Sequence, residues 1–341
     1  MKTIKVAING FGRIGRAFLK VALDRPEVEI VAINDLADVQ NLAYLLKYDT
    51  VYPHHEYQID VNNDSIVVNG KKFKFLSEMD PSKLPWKELD VDVVVEATGV
   101  FSSYEKSQDH KNAGAKKVVI SAPAKDNENE GKLGETILMG INEDKLKTCS
   151  ISSNGSCTTN AGSPIIAILN ETIGIEKAIL NTVHGYTSTQ SIVDSPNKKD
   201  FRKGRAGAQN IIPSSTGAAI AVTKALPEMK DKFDGVALRV PVVAGSIADI
   251  TFISKKDTSV EEINEILTKA SKNKRWDGIF KVTNDPIVSS DILGDRYASI
   301  VDLSMTRVVD GNLVKVLAWY DNEMGYTYTL VEHVIKAGEV L

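Results

Sequence analysis

A cysteine flanked by small polar residues is the most reactive group in the sequence. Cys157 follows a short apolar run and stands in the segment NGSCTTN at 154–160, ahead of residues with helical spacing. Ser and Thr favour helix starts, so Cys157 is predicted at a helix N-terminus, where the helix dipole favours the thiolate and lowers the pKa of the thiol. Cys149 stands in an apolar strand, where a buried thiol behaves as a small hydrophobic side chain. The pattern predicts a nucleophile at Cys157 and an inert thiol at Cys149.

A nucleophilic cysteine needs a base, and the chain has five histidines. His54 and His55 fall in a predicted surface loop, whereas His110 and His333 fall in predicted helices. His184 closes a predicted strand and opens a polar segment, and the ends of strands are where active sites collect. A lone histidine is more often structural than catalytic, so the assignment of His184 as the base depends on resemblance to a known family.

A second group of residues fits the recognition of a dinucleotide. Gly10, Gly12 and Gly15 form a Gly-x-Gly-x-x-Gly motif between a predicted strand and a predicted helix, the context in which this motif binds pyrophosphate. The three glycines are expected to allow a tight turn, the approach of phosphate to the backbone, and close packing of helix on strand. Arg13 and Ile14 stand in the first turn of that helix, where Arg13 adds a cation to the free N–H groups.

One acidic residue indicates which cofactor is bound. Asp35 ends the second predicted strand, about twenty residues after the glycines, where a carboxylate can accept hydrogen bonds from ribose hydroxyls. It would repel the additional phosphate of NADP, and Leu36 and Ala37 offer no compensating cation. NAD is therefore the predicted cofactor, and a strand–turn–helix without a ligand is the alternative interpretation.

These residues lie in two parts of the chain that differ in the pattern of their apolar residues. In the first, short Val/Ile-rich runs alternate with helical segments, which is typical of a parallel sheet, and the Asn69-Gly70 turn predicts an antiparallel hairpin at 65–75. In the second, helices and strands surround a long polar loop at 187–214, and Pro164 either kinks the helix after Cys157 or marks where its regular part begins. The predicted strands are 3–9, 28–34, 91–97, 117–121, 149–152, 177–183, 236–243, 248–254 and 314–320, and the predicted helices are 13–23, 164–170, 216–225, 259–272 and 326–337.

Length and composition limit the classes of partner. A chain of 341 residues is too long for one ordinary core, which predicts two domains. Its 41 basic residues form no long cationic run and its net charge is −4, so nucleic-acid binding is not predicted. No stretch approaches about 18 consecutive apolar residues and a strand begins almost at the N-terminus, so neither a membrane span nor a signal peptide is predicted. Two cysteines make no disulfide framework, which predicts a reducing, cytoplasmic location.

Six segments in register resemble the glyceraldehyde-3-phosphate dehydrogenase family. They are residues 8–16, 153–160, 184–190, 210–219, 239–242 and 319–326, in the family's order and spacing across essentially the whole chain. The resemblance implies an α/β fold with a Rossmann-type, doubly wound parallel sheet, followed by an α+β catalytic domain with a mostly antiparallel sheet. It divides the chain into an NAD-binding domain at 1–156, a catalytic domain at 157–321 and a C-terminal helix at 322–341 that returns to the first domain. A cytoplasmic homotetramer without a metal ion is the implied assembly.

The resemblance also implies a reaction. Cys157 attacks the aldehyde of glyceraldehyde 3-phosphate, His184 takes the proton as hydride passes to NAD, and inorganic phosphate collects the acyl group from the thioester as 1,3-bisphosphoglycerate. The implied ligands of the substrate phosphate are Thr187, Thr189 and Arg239, and those of inorganic phosphate are Ser156, Thr158, Arg202, Thr216 and Gly217. The further implied NAD contacts are Thr98, Gly99, Ser121, Asn322 and Tyr326.

The chain departs from the family pattern at several positions. Glycine replaces alanine or serine beside both catalytic residues, at Gly155 and Gly185, and Ala161 stands where many members have a second cysteine. Met79 replaces an arginine near the adenine, and Ile220 replaces a common lysine. Residues 125–135 are a longer polar insertion, which is predicted to be a solvated surface loop.

Three other functions are compatible with parts of this pattern. An erythrose-4-phosphate dehydrogenase shares the motifs but passes its acyl group to water, and its substrate differs by one carbon. A semialdehyde dehydrogenase of a related fold is disfavoured by the two predicted anion sites. A catalytically idle NAD-binding protein is disfavoured by the presence of Cys157, His184 and Arg239.

Overall fold

A computed structural model of the protein describes residues 3–52, 57–62, 64–198 and 200–341 and separates the chain into two units. The first unit comprises Met1–Gly155 and Leu330–Leu341, and the second comprises Ser156–Thr329. The division into an NAD-binding domain at 1–156, a catalytic domain at 157–321 and a C-terminal helix at 322–341 concerns function and stays a prediction. The surface loop predicted at His54 and His55 lies outside the described residues.

The sheet of the first unit is parallel over most of its width. Its strands are β1 Ile4–Asn9, β2 Val28–Asn34, β3 Ile59–Asn62, β4 Ser65–Val68, β5 Lys71–Leu76, β6 Val93–Glu96, β7 Lys117–Ile120, β8 Glu135–Thr136 and β9 Ile151–Ser153. They lie in the order β3-β4-β5-β2-β1-β6-β7-β9-β8, and each neighbouring pair from β5 to β8 is parallel. Strand β4 is antiparallel to both of its neighbours, β3 and β5. The predicted parallel sheet with an antiparallel insertion is confirmed.

The turn between β4 and β5 explains that insertion. Asn69 and Gly70 have φ of 50° and 79°, so both central residues adopt left-handed backbone. A two-residue turn of this kind matches the twist of the strands that it joins, and Asn and Gly adopt it at least cost.

Three helices follow the strands of the first unit. They are α1 Arg13–Leu23, α2 Val39–Lys47 and α3 Tyr104–Asn112, and α1 has the predicted bounds. The order of the sheet reverses at β1, since β2 lies on one side of β1 and β6 on the other. The crevice beyond the carboxyl ends of such strands is where open α/β sheets bind their ligands.

The insertion at 125–135 is more than a solvated loop, so that prediction is wrong in part. Asp126 is 7% exposed, and its carboxylate accepts the backbone N–H groups of Tyr104 at 2.9 Å and Glu105 at 3.0 Å in the first turn of α3. Glu130 accepts the hydroxyl of Tyr104 at 2.8 Å. Carboxylates near a helix N-terminus stabilise the helix, so the insertion adds an acceptor for the first-turn N–H groups beside Ser103, which is the N-cap.

The sheet of the second unit is mixed and mostly antiparallel, as predicted. Its strands are β10 Ile175–Gly185, β11 Ile212–Ser215, β12 Phe233–Val240, β13 Ser246–Ser254, β14 Phe280–Thr283, β15 Ser299–Asp302, β16 Arg307–Val309 and β17 Leu313–Tyr320. They lie in the order β11-β12-β10-β13-β17-β15-β14, with β16 beside β17. Only β10 with β12 and β14 with β15 are parallel among the described pairs.

Four more helices complete the described chain. They are α4 Cys157–Thr172, α5 Ala218–Ala225, α6 Val260–Ser271 and α7 Met324–Glu339. Helix α4 begins at Cys157 instead of the predicted residue 164 and continues past Pro164. No helix in the described part of the chain combines the length and the apolar character needed to cross a membrane.

Strand β11 corrects the prediction that 187–214 has no regular structure. It pairs with β12 at the edge of the sheet, with Ile212 and Ser214 buried and Pro213 exposed, and the same stretch contains a short 3₁₀ turn at Phe201–Gly204. A proline cannot donate a ladder hydrogen bond, which confines it to such edges and weakens the sequence signal for a strand.

Candidate active site

The first turn of α4 presents Cys157. Ser156 is the N-cap, and its hydroxyl accepts the N–H of Thr159 at 3.0 Å. The hydroxyl of Thr159 in turn accepts the N–H of Ser156 at 3.2 Å. This reciprocal cap fixes where the helix begins, because it satisfies two N–H groups that an α-helix leaves unpaired. The cysteine is therefore held at the first helical residue by its polar neighbours.

Strand β10 brings His184 to the cysteine. The Sγ of Cys157 lies 3.3 Å from the Nε2 of His184, whose residue is 3% exposed. The Nδ1 of His184 lies 2.7 Å from the carbonyl of Gly185. In the tautomer that donates Nδ1–H to this carbonyl, Nε2 is an acceptor, so it can take the proton of the thiol. The predicted pairing of nucleophile and base is present in the geometry.

Arg239 reaches the same histidine from β12, where the two residues are partners in the strand register. Its Nη1 donates to the carbonyl of Gly185 at 3.0 Å and lies 2.6 Å from the Nδ1 of His184, which could accept from it only in the other tautomer, the one with the ring proton on Nε2. The role of His184 as base needs the tautomer in which Nδ1–H donates to the carbonyl of Gly185. Its Nε is buried and has no partner within the described residues. An unpaired buried donor costs free energy unless a ligand satisfies it, so this nitrogen is suited to an anion.

Burial sets the protonation of the pair. Burial and the Arg239 guanidinium lower the pKa of His184 to about 3, so the imidazole is neutral near pH 7. Burial raises the pKa of the Cys157 thiol, and the opposing effects of Arg239 and Thr158 are smaller. The prediction that the helix N-terminus lowers the pKa of this thiol is therefore wrong for the free protein. In the free protein the proton therefore rests on the sulfur, and the neutral imidazole is the acceptor to which it can pass as the sulfur attacks.

Cys149 differs from Cys157 in its surroundings. It is unpaired and half-buried, and burial raises the pKa of its thiol to about 11. At neutral pH it is protonated and a poor nucleophile.

The residues predicted to hold the substrate phosphate lie close to the histidine along the chain. The hydroxyls of Thr187 and Thr189 are 2.8 Å apart. Gln190, which the sequence did not single out, accepts the backbone N–H of Thr187 at 2.9 Å through its amide oxygen. Its Nε2 is buried without a partner among the described residues. The sequence contains no pattern that would predict this hydrogen bond between Gln190 and Thr187.

Four of the five residues predicted to hold inorganic phosphate lie at two helix starts. Ser156 and Thr158 flank the first residue of α4, while Thr216 and Gly217 precede α5, with Gly217 as its N-cap. The hydroxyl of Thr159 donates to the carbonyl of Ala218 at 3.4 Å, which joins the two helix starts. Two helix N-termini facing one region suit an anion. Arg202 is exposed in the 3₁₀ turn at Phe201–Gly204.

The three glycines of the motif in the first unit differ in the space around them. Gly10 has φ of 97°, and a Cβ there would lie 2.6 Å from the backbone of Ala97 and Thr98. A Cβ on Gly15 would lie 2.1 Å from the carbonyl oxygen of Gly10, so this glycine permits close packing of α1 on β1. A Cβ on Gly12 would meet no atom within 4 Å. The open space at Gly12 fits the approach of a phosphate to the backbone.

Asp35 lies beside that turn, at the end of β2. Its carboxylate accepts the N–H of Phe11 at 2.6 Å and the N–H of Ala37 at 2.9 Å. A carboxylate has about four lone-pair sites, so two remain for hydroxyl donors such as those of a ribose. Arg13 is paired with Asp49 at 3.3 Å at the start of α1.

A cavity of about 440 Å³ lies along these strand ends. Its lining residues are Asn9, Gly10, Gly12, Asn34, Asp35, Leu36, Glu78, Met79, Ala97, Thr98, Val100 and Phe101. Met79 stands where the family has an arginine and is 73% exposed, so a thioether forms part of the cavity wall at this position. The lining combines polar atoms with apolar side chains, and a nucleotide needs both.

The remaining predicted NAD contacts are in both units. Thr98 donates its N–H to Glu96 at 2.8 Å, Gly99 has φ of 73°, and Ser121 follows β7 with its N–H bonded to the carbonyl of Glu96 at 2.9 Å. In the second unit, the amide oxygen of Asn322 accepts the N–H of Gly245 at 3.0 Å. This bond leaves the amide nitrogen of Asn322 as a donor for a ligand.

Tyr326 is 4% exposed in the part of α7 that belongs to the second unit. Among the described residues no group of three or more His, Cys, Asp or Glu side chains could hold a metal ion.

The two glycines that replace alanine or serine have different structural roles. Gly155 has φ of 64°, a left-handed conformation that glycine adopts without strain. Gly185 is not left-handed, but a Cβ there would lie 2.9 Å from the carbonyl oxygen of Val242. The conformational freedom of glycine is therefore needed at Gly155, whereas Gly185 permits a close approach of the backbone.

Comparison with known proteins identifies both units. The family model for the NAD binding domain of glyceraldehyde 3-phosphate dehydrogenase matches residues 4–104, and the model for the C-terminal domain matches residues 156–322. A glyceraldehyde-3-phosphate dehydrogenase of Streptomyces coelicolor is 45% identical over 99% of this chain and 100% of its own length. Those of Clostridium pasteurianum and Geobacillus stearothermophilus are 48% and 46% identical, each over 96% of both chains.

Proposed function

The chain belongs to the glyceraldehyde-3-phosphate dehydrogenase family, and from this premise we propose that it oxidises D-glyceraldehyde 3-phosphate with NAD and inorganic phosphate to 1,3-bisphosphoglycerate. The observation that supports the reaction most directly is the 3.3 Å contact between the Sγ of Cys157 and the Nε2 of His184. A thiol with a neutral base at hydrogen-bond distance is the minimum that covalent aldehyde oxidation requires.

His184 takes the proton of the thiol as the Cys157 sulfur attacks the aldehyde carbon, and it returns this proton to the former carbonyl oxygen, so a hemithioacetal forms and the imidazole is neutral again. Bound NAD supplies the acceptor for the hydride that leaves this carbon. His184 removes the hydroxyl proton of the hemithioacetal in the same step, so the carbon is oxidised to a thioester on Cys157. Phosphate oxygen then attacks the thioester carbon, and the sulfur leaves as thiolate. The product is an acyl phosphate, and the free energy of oxidation is retained because phosphate collects the acyl group before water does.

The residues around this pair support two anion positions. The unpaired Nε of Arg239, with the hydroxyls of Thr187 and Thr189, would hold the phosphate ester of the substrate. The starts of α4 and α5, with Ser156, Thr158, Thr216, Gly217 and Arg202, would hold inorganic phosphate.

The first unit would bind NAD, and the donor set supports that assignment. Gly10, Gly12, Arg13, Ile14 and Gly15 would hold the pyrophosphate, since Gly12 has open space and lies at the start of α1. Asp35 would accept the ribose hydroxyls and disfavour NADP. The other NAD contacts in this proposal are Thr98, Gly99, Ser121, Asn322 and Tyr326.

The functional division in this proposal assigns NAD binding to residues 1–156, catalysis to 157–321, and a helix that returns to the NAD-binding domain to 322–341. We further propose a cytoplasmic homotetramer. Large apolar side chains on the second unit support association, since Ile192 is 91% exposed and Phe201 is 85% exposed. Exposed apolar clusters on a folded protein commonly mark interfaces with other chains.

The test is the formation of NADH by the purified, reduced protein from glyceraldehyde 3-phosphate, with and without inorganic phosphate, and again from erythrose 4-phosphate. We expect turnover of the triose that depends strongly on phosphate, in agreement with the names of the relatives. Phosphate-independent turnover of the tetrose would identify an erythrose-4-phosphate dehydrogenase instead. Loss of all turnover with intact NAD binding would identify an idle NAD-binding protein.

A further inference from the structure

Tyr320 ends β17 in the interior of the second unit and touches both elements that carry the reactive pair. It is fully buried, and its hydroxyl lies 2.8 Å from the hydroxyl of Thr158 and 2.7 Å from that of Thr182. Its ring meets the ring of His184 edge to face, with centroids 5.9 Å apart and planes at 75°. Nothing in the sequence pattern gave this tyrosine a role, because its partners are far away along the chain.

The two threonines occupy informative positions. Thr158 follows Cys157 in the first turn of α4, and Thr182 stands two residues before His184 in β10. One phenol hydroxyl therefore joins the helix that presents the nucleophile to the strand that presents the base. Buried hydroxyls that are fully satisfied restrict the elements that they join, because breaking the link leaves an unpaired polar group in a dry interior.

The hydroxyl protons of Thr158, Tyr320 and Thr182 can be assigned in part. Thr182 lies within 3.3 Å of the carbonyl of Ile247, which can only accept, so the proton of Thr182 is directed there. Tyr320 then donates to Thr182, and Thr158 can donate to Tyr320. When the sulfur of Cys157 becomes a thiolate, the hydroxyl of Thr158 can turn its proton to the sulfur, and the phenol of Tyr320 then turns its own proton from Thr182 to the oxygen of Thr158, which it holds in place.

We propose that Tyr320 is a positioning residue for the reactive pair, which fixes the contact between Cys157 and His184 and holds the hydroxyl of Thr158 at the sulfur. This inference rests on the proposed function only in its assignment of Cys157 as the nucleophile. The ionisable or charged side chains that face the sulfur are His184 from β10, Arg239 from β12 and Tyr320 from β17. The first two are unchanged when only the phenol oxygen is removed.

The variant Tyr320→Phe removes that oxygen and keeps the ring against His184. The measurement is the rate at which iodoacetamide alkylates Cys157 in the reduced, full-length protein without substrate, followed from pH 6 to pH 11 because burial already raises the pKa of this thiol. We expect the midpoint of the profile to rise by about one pH unit, which is roughly a tenfold lower thiolate fraction below the midpoint. We also expect kcat to fall while the KM for NAD stays unchanged. An alkylation profile identical to that of the unmodified protein would overturn the proposal.

Tyr104→Phe is the matched control. Tyr104 is equally buried, and its hydroxyl is bonded to Glu130 at 2.8 Å and to Thr136 at 3.1 Å in the first unit. We expect it to lower stability and leave the alkylation profile unchanged. An equal shift in both variants would show that loss of a buried hydroxyl acts only through stability, which would refute a positioning role.

A second pair of variants tests the link from its other end. Thr182→Val keeps the shape of the side chain but removes the acceptor of Tyr320, and Thr182→Ser retains it. We expect the profile to shift with valine and to return with serine, and equal profiles for the two would contradict the proposal. Alkylation needs no substrate, so a protein that fails to oxidise glyceraldehyde 3-phosphate but shows these shifts would refute the proposed function and leave this inference standing.

Discussion

Replacing His333 with glutamine is predicted to reduce the acid sensitivity of the fold. His333 is fully buried, with Nε2 2.8 Å from the hydroxyl of Ser152 and Nδ1 3.0 Å from the amide oxygen of Asn154. Burial, assisted by the charges of Lys117 and Lys336, lowers the pKa of this histidine to about 3. The folded protein therefore does not protonate this side chain above pH 4, whereas an unfolded chain does so below about pH 6.5.

The sign follows from which state binds the proton. Because the unfolded state binds more protons between pH 6.5 and 3, the free energy of unfolding falls as the pH falls through that window. An unfolded histidine of pKa about 6.5 gains roughly 2 kcal/mol of proton-binding free energy between pH 7 and pH 5, and the folded one gains almost none. His333 alone should therefore cost the protein about 2 kcal/mol of stability over those two units.

The assay is urea unfolding at pH 7 and pH 5, at one protein concentration. His333→Gln should be less stable than the unmodified protein at pH 7, because one buried hydrogen bond is lost, and this difference should shrink by about 2 kcal/mol at pH 5. Ser152→Ala is the control, since it removes a partner hydroxyl and leaves the titrating ring. If the stability difference between His333→Gln and the unmodified protein is the same at both pH values, the reasoning is refuted.

Four further outcomes are expected. Cys157→Ala should abolish turnover while NAD still binds, as measured by NADH formation and by titration with NAD; residual turnover would remove Cys157 from its role. His184→Asn should slow hydride transfer by about 10²–10⁴-fold in single-turnover measurements, the usual contribution of a general base, and an unchanged rate would exclude it. Gly12→Ala should leave the melting temperature unchanged, because its Cβ would meet no protein atom, and should raise the KM for NAD, because the Cβ would occupy the space proposed for the pyrophosphate. Gly15→Ala should lower the melting temperature, because its Cβ would lie 2.1 Å from a carbonyl oxygen. Asp35→Ala should improve the ratio of NADP to NAD in kcat/KM, and an unchanged ratio would show that this carboxylate does not select the cofactor.

The sequence predicted best where the physical signal is local. The apolar spacing of α1 and β2 fixed their bounds at Arg13–Leu23 and Val28–Asn34, and the Asn69-Gly70 turn gave the hairpin. These features depend on residues within a few positions of one another, so a single chain shows them. The resemblance to a family contributed His184, which its local pattern alone did not distinguish from a structural histidine.

Features that depend on distant residues were missed. Tyr320 joins Thr158 and Thr182, which are more than a hundred positions away, and Asp126 caps a helix that precedes it in the chain. The predicted direction of the shift in the pKa of the Cys157 thiol was wrong for the same reason. A helix start is visible in the sequence, but the burial that raises the pKa is produced by elements that pack later in the chain.

Ala161 has a consequence for the protein under oxidative stress. It is fully buried one turn after Cys157 in α4, and the only other sulfhydryl, Cys149, is protonated at neutral pH because burial raises its pKa to about 11. A peroxide that converts Cys157 to a sulfenic acid thus meets no resolving thiol at that turn. A small soluble thiol such as glutathione can still reduce the sulfenic acid, and in its absence further peroxide oxidises the sulfur to the irreversible sulfinic and sulfonic acids.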